Sequence, residues 1–197
     1  MGAPEERIPR TGRYADIVHE CTLLFSEIGY ERASVRMLAD RLGMKSGSLY
    51  SHMSSKEEVL YWIILDVAQD FFDSGHRAVE AAGSAEDQVR ALCRSHMRVI
   101  SQKKLKVRVY FDEWRRLDQP HQDKIIALRD EYERLLRSLI SHGNTNGEFR
   151  CEPHLTARLI LSALNSTLEW YSAEGPLTAE ELADSIIDLF FAGMRQR

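Results

Sequence analysis

Residues 34–60 read SVRMLADRLGMKSGSLYSHMSSKEEVL, and this stretch decides the fold. Ser34 is placed to cap a short helix, which Gly43 then ends. A gap of three residues leads to a second short helix over about residues 46–53. Two short helices joined by a glycine-containing turn form a helix-turn-helix, a unit whose second helix fits the major groove of DNA.

The side-chain pattern of this stretch has the three properties that such a unit requires. The inner faces are apolar, which holds the two helices at a fixed angle, and they consist of Val35, Leu38, Leu42, Met44, Leu49 and Met53. The outer face of the second helix is small or hydrogen-bonding, as contact with base edges requires, and it consists of Lys45, Ser46, Gly47, Ser48, Ser51 and His52. Donors that can hold phosphates flank this face at Tyr50 and Lys56.

The charge of the chain supports the same interpretation. The 197 residues include 26 basic and 30 acidic side chains, and the net charge of −4 excludes a uniformly basic, histone-like binder. From Arg32 to Lys56, however, five basic residues stand against one acid, Asp40, which makes this window +4. A basic patch inside an acidic chain favours local contact with nucleic acid.

The rest of the chain also predicts helices, and the expected fold class is all-α. Apolar residues recur at helical spacing over residues 13–28, from 55 to Gly75 or Gly83, and over 84–101, 104–118, 121–142, 154–173 and 178–194. Residues 55–58 have the Ser-x-x-Glu form of a capping box, which opens the long helix. We therefore expect a three-helix DNA-binding domain over residues 1–60 and a helical bundle over 61–197, with the long helix shared between them.

Composition and motifs exclude several other classes. Three cysteines without CxxC spacing indicate a reducing compartment. The chain has no apolar run long enough for a membrane span, and its N-terminus has no apolar signal-peptide core, so we expect a cytoplasmic protein without a membrane partner. The histidines lack HxxxH or HExxH spacing, and no nucleophile or phosphate-loop motif is present. We predict no metal, no cofactor, no catalytic residue and no enzyme activity.

The DNA-binding stretch resembles that of the TetR family of bacterial transcriptional regulators. The matching features are Phe25-x-x-x-Gly29-Tyr30, Ser34, Leu38-Ala39, Gly43, Gly47, Leu49-Tyr50, His52, Lys56-Glu57 and Leu60. The resemblance implies that Tyr50 and Lys56 hold phosphates and that Ser34 and Arg36 lie at the edge of the groove. It also implies that the bases are faced by Lys45, Ser46, Ser48, Ser51 and His52. Met53 departs from the family pattern, since Phe is usual at this position.

In that family the C-terminal helices bind a small effector and form a homodimer. The last two helical segments here are apolar around most of their circumference, whereas a helix at a monomer's surface needs a polar face. Central burial would explain one such helix. Two adjacent helices of this kind favour a four-helix dimer interface, for which we predict Leu164, Leu168, Ile186 and Phe190.

A second basic cluster runs from Arg90 to Arg108, with seven basic residues and no acid. It is either a solvated face, partly balanced by Asp112 and Glu113, or an anchor for an anionic effector. Segments 110–117, 146–150 and 170–178 resemble the branch of the family that senses acyl-CoA thioesters. The members that bind steroid thioesters have Arg and Trp where this chain has Leu161 and Asn165, which makes a steroid the less expected effector.

The predicted effector pocket combines apolar walls with an anionic anchor. The wall residues are Met97, Tyr110, Phe111, Trp114, Leu161 and Asn165. The anchor residues are Arg94, Arg98 and Lys104. The expected function is that of a homodimeric repressor, released from palindromic double-stranded operator DNA by a small molecule, with an acyl-CoA as candidate. The competing hypothesis is an all-α small-molecule-binding protein or enzyme with an incidental helix-turn-helix.

Overall fold

Every segment predicted to be helical contains a helix in the computed structural model, which describes residues 12–194. The elements are α1 Arg13–Ile28, α2 Val35–Arg41, α3 Ser46–Leu49, α4 Lys56–Glu80, α5 Ala85–Gln102, α6 Lys104–Glu113, a 3₁₀ turn Trp114–Arg116, α7 Gln119–Thr145, α8 Pro153–Trp170 and α9 Ala179–Met194. Over the described residues there is no strand, which confirms the all-α fold class. Among these helices none combines the length and apolar composition needed to cross a membrane. The N-terminal stretch on which the signal-peptide prediction rests lies largely outside the described residues.

The chain forms two compact units, which are described separately. The first contains the described residues up to Val67 together with Leu105–Ile125, and the second contains Ala68–Lys104 and the residues from Ile126 onward. Both α4 and α7 contribute residues to each unit. The domain boundary at residue 60 stays a prediction.

In the first unit the core of the helix-turn-helix follows its apolar pattern in part. Of the six predicted inner-face residues, Leu38, Leu49 and Met53 are buried, whereas Val35, Leu42 and Met44 are half-buried. The buried side chains that α1 adds include Ile17, Cys21, Leu24 and Phe25. After α2, Gly43 adopts a φ of 63°, and the amide of Met44 donates to the carbonyl of Ala39 over 2.9 Å. This is the glycine-dependent ending of a helix that turns the chain sharply, and it sets the direction in which α3 leaves α2.

Several helix ends differ from the prediction, and three of them are informative. Helix α3 ends at Leu49, and the chain reaches Met53 through single turns in which His52 N and Met53 N both donate to Leu49 O. Helix α6 ends at Glu113 and continues as a 3₁₀ turn. Helix α7 begins before Pro120 rather than after it, because proline in a first turn lacks only an N–H that has no intrahelical partner.

The long helix α4 passes through Gly75, which does not end it. A Cβ at this glycine would lie 2.7 Å from the ring of Tyr132, so the missing side chain allows the helix to pack closely on that ring. At the other end of α4, Ser55 Oγ accepts from the amide of Glu58, as the capping box predicts. The Glu58 carboxylate also accepts from the amide and hydroxyl of Ser54.

The second unit is organised around α5, which packs mainly against α9 and also contacts α8. Ser84 and Asp87 form a complete capping box at its start, a signal that the sequence analysis overlooked. The core residues that α5 and α9 contribute include Val89, Leu92, Cys93, Met97, Ile100, Leu182, Ala183, Ile187 and Phe191.

A buried polar group lies inside this apolar unit. The ring of His96 is stacked on Phe71 with centroids 4.5 Å apart. Its Nε2 lies 3.0 Å from Asn165 Oδ1, and its Nδ1 lies 3.2 Å from the Tyr132 hydroxyl. Because the amide oxygen is an acceptor, Nε2 carries the proton and Nδ1 accepts from the tyrosine, so both nitrogens of the neutral ring are satisfied. Burial lowers the pKa of His96 from 6.5 to about 4.

This shifted pKa predicts an acid-sensitive stability. In the unfolded chain His96 is protonated below about pH 6.5, whereas in the folded chain it stays neutral down to about pH 4. The stability that this residue contributes is therefore fully present above pH 6.5 and is lost as the pH falls toward 4. Between pH 7 and pH 5 the free energy of unfolding should fall by about 2 kcal/mol through this residue. Urea denaturation at both pH values measures it. His96→Gln should remove that part of the pH dependence, whereas His154→Gln, an exposed control, should retain it.

Candidate nucleic-acid interface

The predicted DNA-binding residues lie at the surface of the first unit. Leu49 is completely buried and anchors α3 to the unit, which turns the opposite side of the short helix outward. Ser46 and Lys56 are half-buried, and the exposed members are Ser34, Arg36, Lys45, Gly47, Ser48, Tyr50, Ser51 and His52. The Tyr50 side chain, at 55% exposure, extends into solvent beside α3.

The outer face of α3 consists of small side chains. A Cβ at Gly47 would meet nothing in the chain within 4 Å, so internal packing does not require glycine here. Ser51 is turned back on the helix, since its hydroxyl donates to Ser48 O over 2.7 Å. The helix has no side-chain cap at Lys45, which leaves its first amides without that internal partner. Such a surface lets a second molecule approach the α3 backbone closely.

The start of α2 is adjacent in sequence and is also exposed. Ser34 caps this helix as predicted, because its Oγ accepts from the amide of Met37 over 3.2 Å. Arg36 and Lys45 are exposed and have no ion-pair partner among the described residues. Arg41, by contrast, is paired with Glu27. Part of the +4 charge counted from the sequence is therefore neutralised, whereas Arg36 in the first turn of α2 and Lys45 directly before α3 stay exposed.

Lys56 has an internal role that the sequence analysis did not foresee. Its Nζ donates to the carbonyl oxygens of Tyr30 and Ala33, each over 2.8 Å, and lies 4.0 Å from the centroid of the Tyr30 ring. Partial burial lowers the pKa of Lys56, an effect that the charge of Glu31 opposes. The side chain thus ties the start of α4 to the loop between α1 and α2, and an ammonium group keeps one further donor for an external acceptor.

The predicted dimer residues divide into two groups. Leu164 and Leu168 of α8 are covered by their own chain, with exposures of 0% and 3%, so they are core residues and not surface residues. Ile186 and Phe190 of α9 are partly exposed. The same two helices also expose large apolar side chains that were not among the predicted dimer residues, namely Leu155, Leu159, Trp170 and Leu189. Sequence periodicity shows that a helix is apolar all round but not which side its own chain covers.

The predicted anion anchor is occupied by carboxylates of the second unit. Arg94 donates two hydrogen bonds of 2.7 Å to Asp184, and Arg98 donates one of 2.9 Å to Glu180. Arg90, in the same row, contacts Asp184 and Asp188. The hydrogen bonds from Arg94, supported by those from Arg90, lower the pKa of Asp184 and keep it ionised. The row of arginines on α5 therefore holds α9, a partnership invisible in a local count because the acids lie some ninety residues away.

The remaining predicted effector residues fall in both units. Within the second unit, Met97 is buried, and its sulfur lies 3.2 Å from Thr167 Oγ1. Leu161 is half-buried, and Asn165 is hydrogen-bonded to His96. Lys104 donates a hydrogen bond to the carbonyl of Tyr171. Within the first unit, Tyr110 is buried with its ring edge-on to Phe111, and the Trp114 ring lies under the Arg115 guanidinium. Their role in binding an effector stays a prediction.

Two family models match the chain. Residues 17–61 match the model of bacterial regulatory proteins of the tetR family, and residues 82–194 match the tetracyclin repressor-like C-terminal domain. The first range contains most of α1, all of α2 and α3, and the start of α4, and the second contains α5 to α9.

Individual proteins are similar over nearly the whole length. The HTH-type transcriptional repressor KstR2 of Mycolicibacterium smegmatis is 26% identical, over 98% of this chain and 96% of its own. The solved ketosteroid transcriptional regulator KstR2 of Mycobacterium tuberculosis superimposes with a TM-score of 0.88 at 25% identity, covering 95% of this chain and 97% of that one. PfmR of Thermus thermophilus, a solved TetR family regulator, reaches 34% identity with a TM-score of 0.83, covering 91% and 99%. The helix-turn-helix geometry and both family matches thus lead to one conclusion: this chain belongs to the TetR family of bacterial transcriptional regulators.

Proposed function

We propose that this protein is a homodimeric repressor that binds a palindromic operator through α3 and leaves it when the C-terminal domain binds a small molecule. The observation that carries the proposal is the outward face of α3, which is small and polar, unneeded for internal packing, and accompanied by the exposed cations Arg36 and Lys45. The relatives named KstR2 are described as repressors, which supports the direction of regulation. Such a protein acts in the cytoplasm, where the bacterial chromosome lies.

The DNA-binding residues divide by chemistry into two roles. Lys45, Ser46, Ser48, Ser51 and His52 offer donors and acceptors to base edges, and Gly47 allows the α3 backbone to approach them. Ser34, Arg36, Tyr50 and Lys56 are assigned to phosphates and to the edge of the groove. For Lys56 the role is double, because the ammonium group also holds the loop between α1 and α2.

The two roles predict different mutant phenotypes. Lys45→Ala and Ser48→Ala should each relax the preference at particular base pairs, by about 1–3 kcal/mol for a direct contact. Lys56→Ala should weaken binding to operator and random duplex alike and make the salt dependence shallower. Because the same change removes the hydrogen bonds from α4 to the loop between α1 and α2, circular dichroism must show that the variant is folded. Fluorescence anisotropy with operator variants at several salt concentrations measures all three.

Arg134→Ala is the matched control, since it removes an exposed cation of α7 and should leave DNA binding unchanged. A uniform loss of affinity in Lys45→Ala, with base preference intact, would contradict the recognition surface. Wild-type protein that does not prefer a palindromic operator over random duplex would favour the alternative class, an all-α enzyme or carrier.

The dimer surface is assigned to the outward sides of α8 and α9, two helices that pack against each other. Leu155 and Leu159 are one turn apart on α8, while Ile186 and Phe190 have the same spacing on α9 beside Leu189, which is 78% exposed. Exposed aliphatic side chains in this density are typical of an interface rather than of solvated helices. If α8 and α9 of two chains packed together around a twofold axis, the exposed apolar side chains would be covered. The same packing would fix the spacing of the two recognition helices.

Charge placed on this surface should separate the dimer. Ile186→Glu should give a folded monomer that no longer binds operator, because the buried glutamate has no partner at the interface. Sedimentation velocity and circular dichroism measure the two properties. Ser138→Glu, the same charge on the exposed side of α7, should remain dimeric. Leu164→Glu should instead unfold the chain, since that side chain is completely buried. An Ile186→Glu protein that sediments as a dimer would overturn the assignment.

The effector assigned to the C-terminal domain is an acyl-CoA thioester. The support is the resemblance of three C-terminal segments to the acyl-CoA-sensing branch, together with the apolar surroundings of Met97 and Leu161. A second class, an uncharged aromatic molecule, is favoured by one structural observation. Arg94 and Arg98 already bind carboxylates, so an anionic ligand would have to displace Asp184 and Glu180.

The two effector classes are separable by calorimetry. An acyl-CoA that acts as inducer should bind the free protein more tightly than it binds the protein–operator complex. By linkage, the acyl-CoA must lower the affinity of the protein for operator by the same factor. Titration with fatty, branched, aromatic and steroid acyl-CoAs, with and without operator, tests this, and free CoA without an acyl group is the control. Binding that leaves operator affinity unchanged, or no binding, would contradict the thioester and leave the uncharged class.

A further inference from the structure

The first unit contains a polar cleft of about 320 Å³ that the DNA-binding proposal does not use. It lies where the start of α4 meets the start of α7. The residues that line it are Ser54, Ser55, Glu57, Glu58, Tyr61, Trp62, Asp118 and His121. Among the described residues, this lining includes three carboxylates and neither a lysine nor an arginine, so the cleft is suited to a cation.

Three of these side chains bring metal-ligand atoms together. Glu57 is in the first turn of α4, Asp118 directly precedes α7, and His121 is in the first turn of α7. One carboxylate oxygen from each acid and one imidazole nitrogen all lie within 4.8 Å of one another. Glu57 is separated from the other two by some sixty residues, so no local spacing in the sequence reveals the group.

The imidazole supplies a second, independent observation. His121 Nδ1 is shielded from solvent and makes no hydrogen bond. Asp118 Oδ1 lies only 2.7 Å from this nitrogen, but outside the direction in which the ring could donate to it. The ring is held by Tyr61, with centroids 3.9 Å apart. The side chain as a whole is 37% exposed, but this nitrogen is covered and makes no hydrogen bond, and a cation bound beside Asp118 would satisfy it.

The two carboxylates are also held in position. Glu57 Oε1 accepts from the amide of Asp118 over 2.8 Å, and Asp118 Oδ1 accepts from the amide of His121 over 3.0 Å. Each bond engages one oxygen of its carboxylate and fixes the direction of the other. Backbone amides that orient ligating carboxylates reduce the entropy lost when a metal binds. Helix capping alone accounts for the amide bonds, but it does not account for the imidazole nitrogen.

We propose that Glu57, Asp118 and His121 form a binding site for a divalent first-row cation, of which Zn²⁺ is the best chemical fit. A nitrogen ligand with two carboxylates suits Zn²⁺ and Co²⁺, whereas Mg²⁺ and Ca²⁺ prefer oxygen ligands throughout. Bond lengths of about 2.1 Å at tetrahedral angles place ligand atoms about 3.4 Å apart, which the 4.8 Å of this group allows. Asp118 Oδ1 is closer than this to the imidazole nitrogen, at 2.7 Å, and it also accepts from the His121 amide, so the other oxygen of Asp118 would be the ligand. Water completes the coordination from the open side of the cleft.

The site adds a connection inside the first unit. Glu57 directly follows Lys56, whose ammonium group holds the loop between α1 and α2. A cation shared by Glu57 and His121 would join the first turn of α4 to the first turn of α7 by metal–ligand bonds, in addition to the existing amide hydrogen bond. Occupancy therefore stabilises the folded state by mass action.

The experiment is isothermal titration of the untagged full-length protein with Zn²⁺, with Mg²⁺ as a parallel arm, and absorption spectroscopy with Co²⁺. We expect one Zn²⁺ per chain, no comparable binding of Mg²⁺, and visible Co²⁺ bands typical of mixed nitrogen and oxygen ligands. His121→Ala should weaken Zn²⁺ binding at least tenfold. Glu57→Gln and Asp118→Asn preserve side-chain shape and should weaken it similarly, which keeps the test valid if the histidine variant folds poorly.

His154→Ala is the matched control, since His154 faces Glu133 at 3.6 Å without belonging to the group. It should bind Zn²⁺ as the wild type does. The proposal is overturned by Zn²⁺ binding that is absent or nonsaturable, by equal binding of Mg²⁺, or by folded Glu57→Gln and Asp118→Asn proteins that retain wild-type affinity.

Discussion

The ammonium group of Lys56 lies at the start of α4 and donates to two carbonyl oxygens in the loop between α1 and α2. The geometry of the helix-turn-helix depends on this contact, because α2 and α3 are too short to be stable alone and rely on the helices before and after them. Gly43 then sets how α3 departs, and the buried Leu49 fixes which side faces outward. A single cation thus links the end of α1, the start of α2 and the long helix that leaves the unit.

The sequence was sufficient for the helix-turn-helix because its signals are local. Ser34 caps, Gly43 turns and Leu49 packs within a few residues of one another, so their pattern can be read without knowing the rest of the fold. The sequence did not reveal contacts between residues that lie far apart along the chain. The arginines of α5 resembled a solvated or anion-binding face until Asp184 and Glu180 of α9 were seen to pair with them.

The same limit explains the other differences. Leu164 and Leu168 have the composition of interface residues, but only the packing of α8 shows that their own chain covers them. Glu57, Asp118 and His121 carry no local motif and become a group only through the fold. Helix ends at Leu49 and Glu113 were misplaced by a few residues, because apolar periodicity continues through turns that keep side chains on the same face.

The contact between α5 and α9 has a consequence for how motion can pass through the second unit. Arg90, Arg94 and Arg98 are four residues apart, and they pair in reverse order with Asp188, Asp184 and Glu180, which have the same spacing. Each partly exposed pair contributes less than about 1 kcal/mol, but a shift of half a turn breaks all of them together. The helices have equivalent partners again only after about 6 Å of travel, given a rise of about 1.5 Å per residue. Sliding of α9 along α5 is therefore stepwise, and this contact favours discrete positions over gradual displacement.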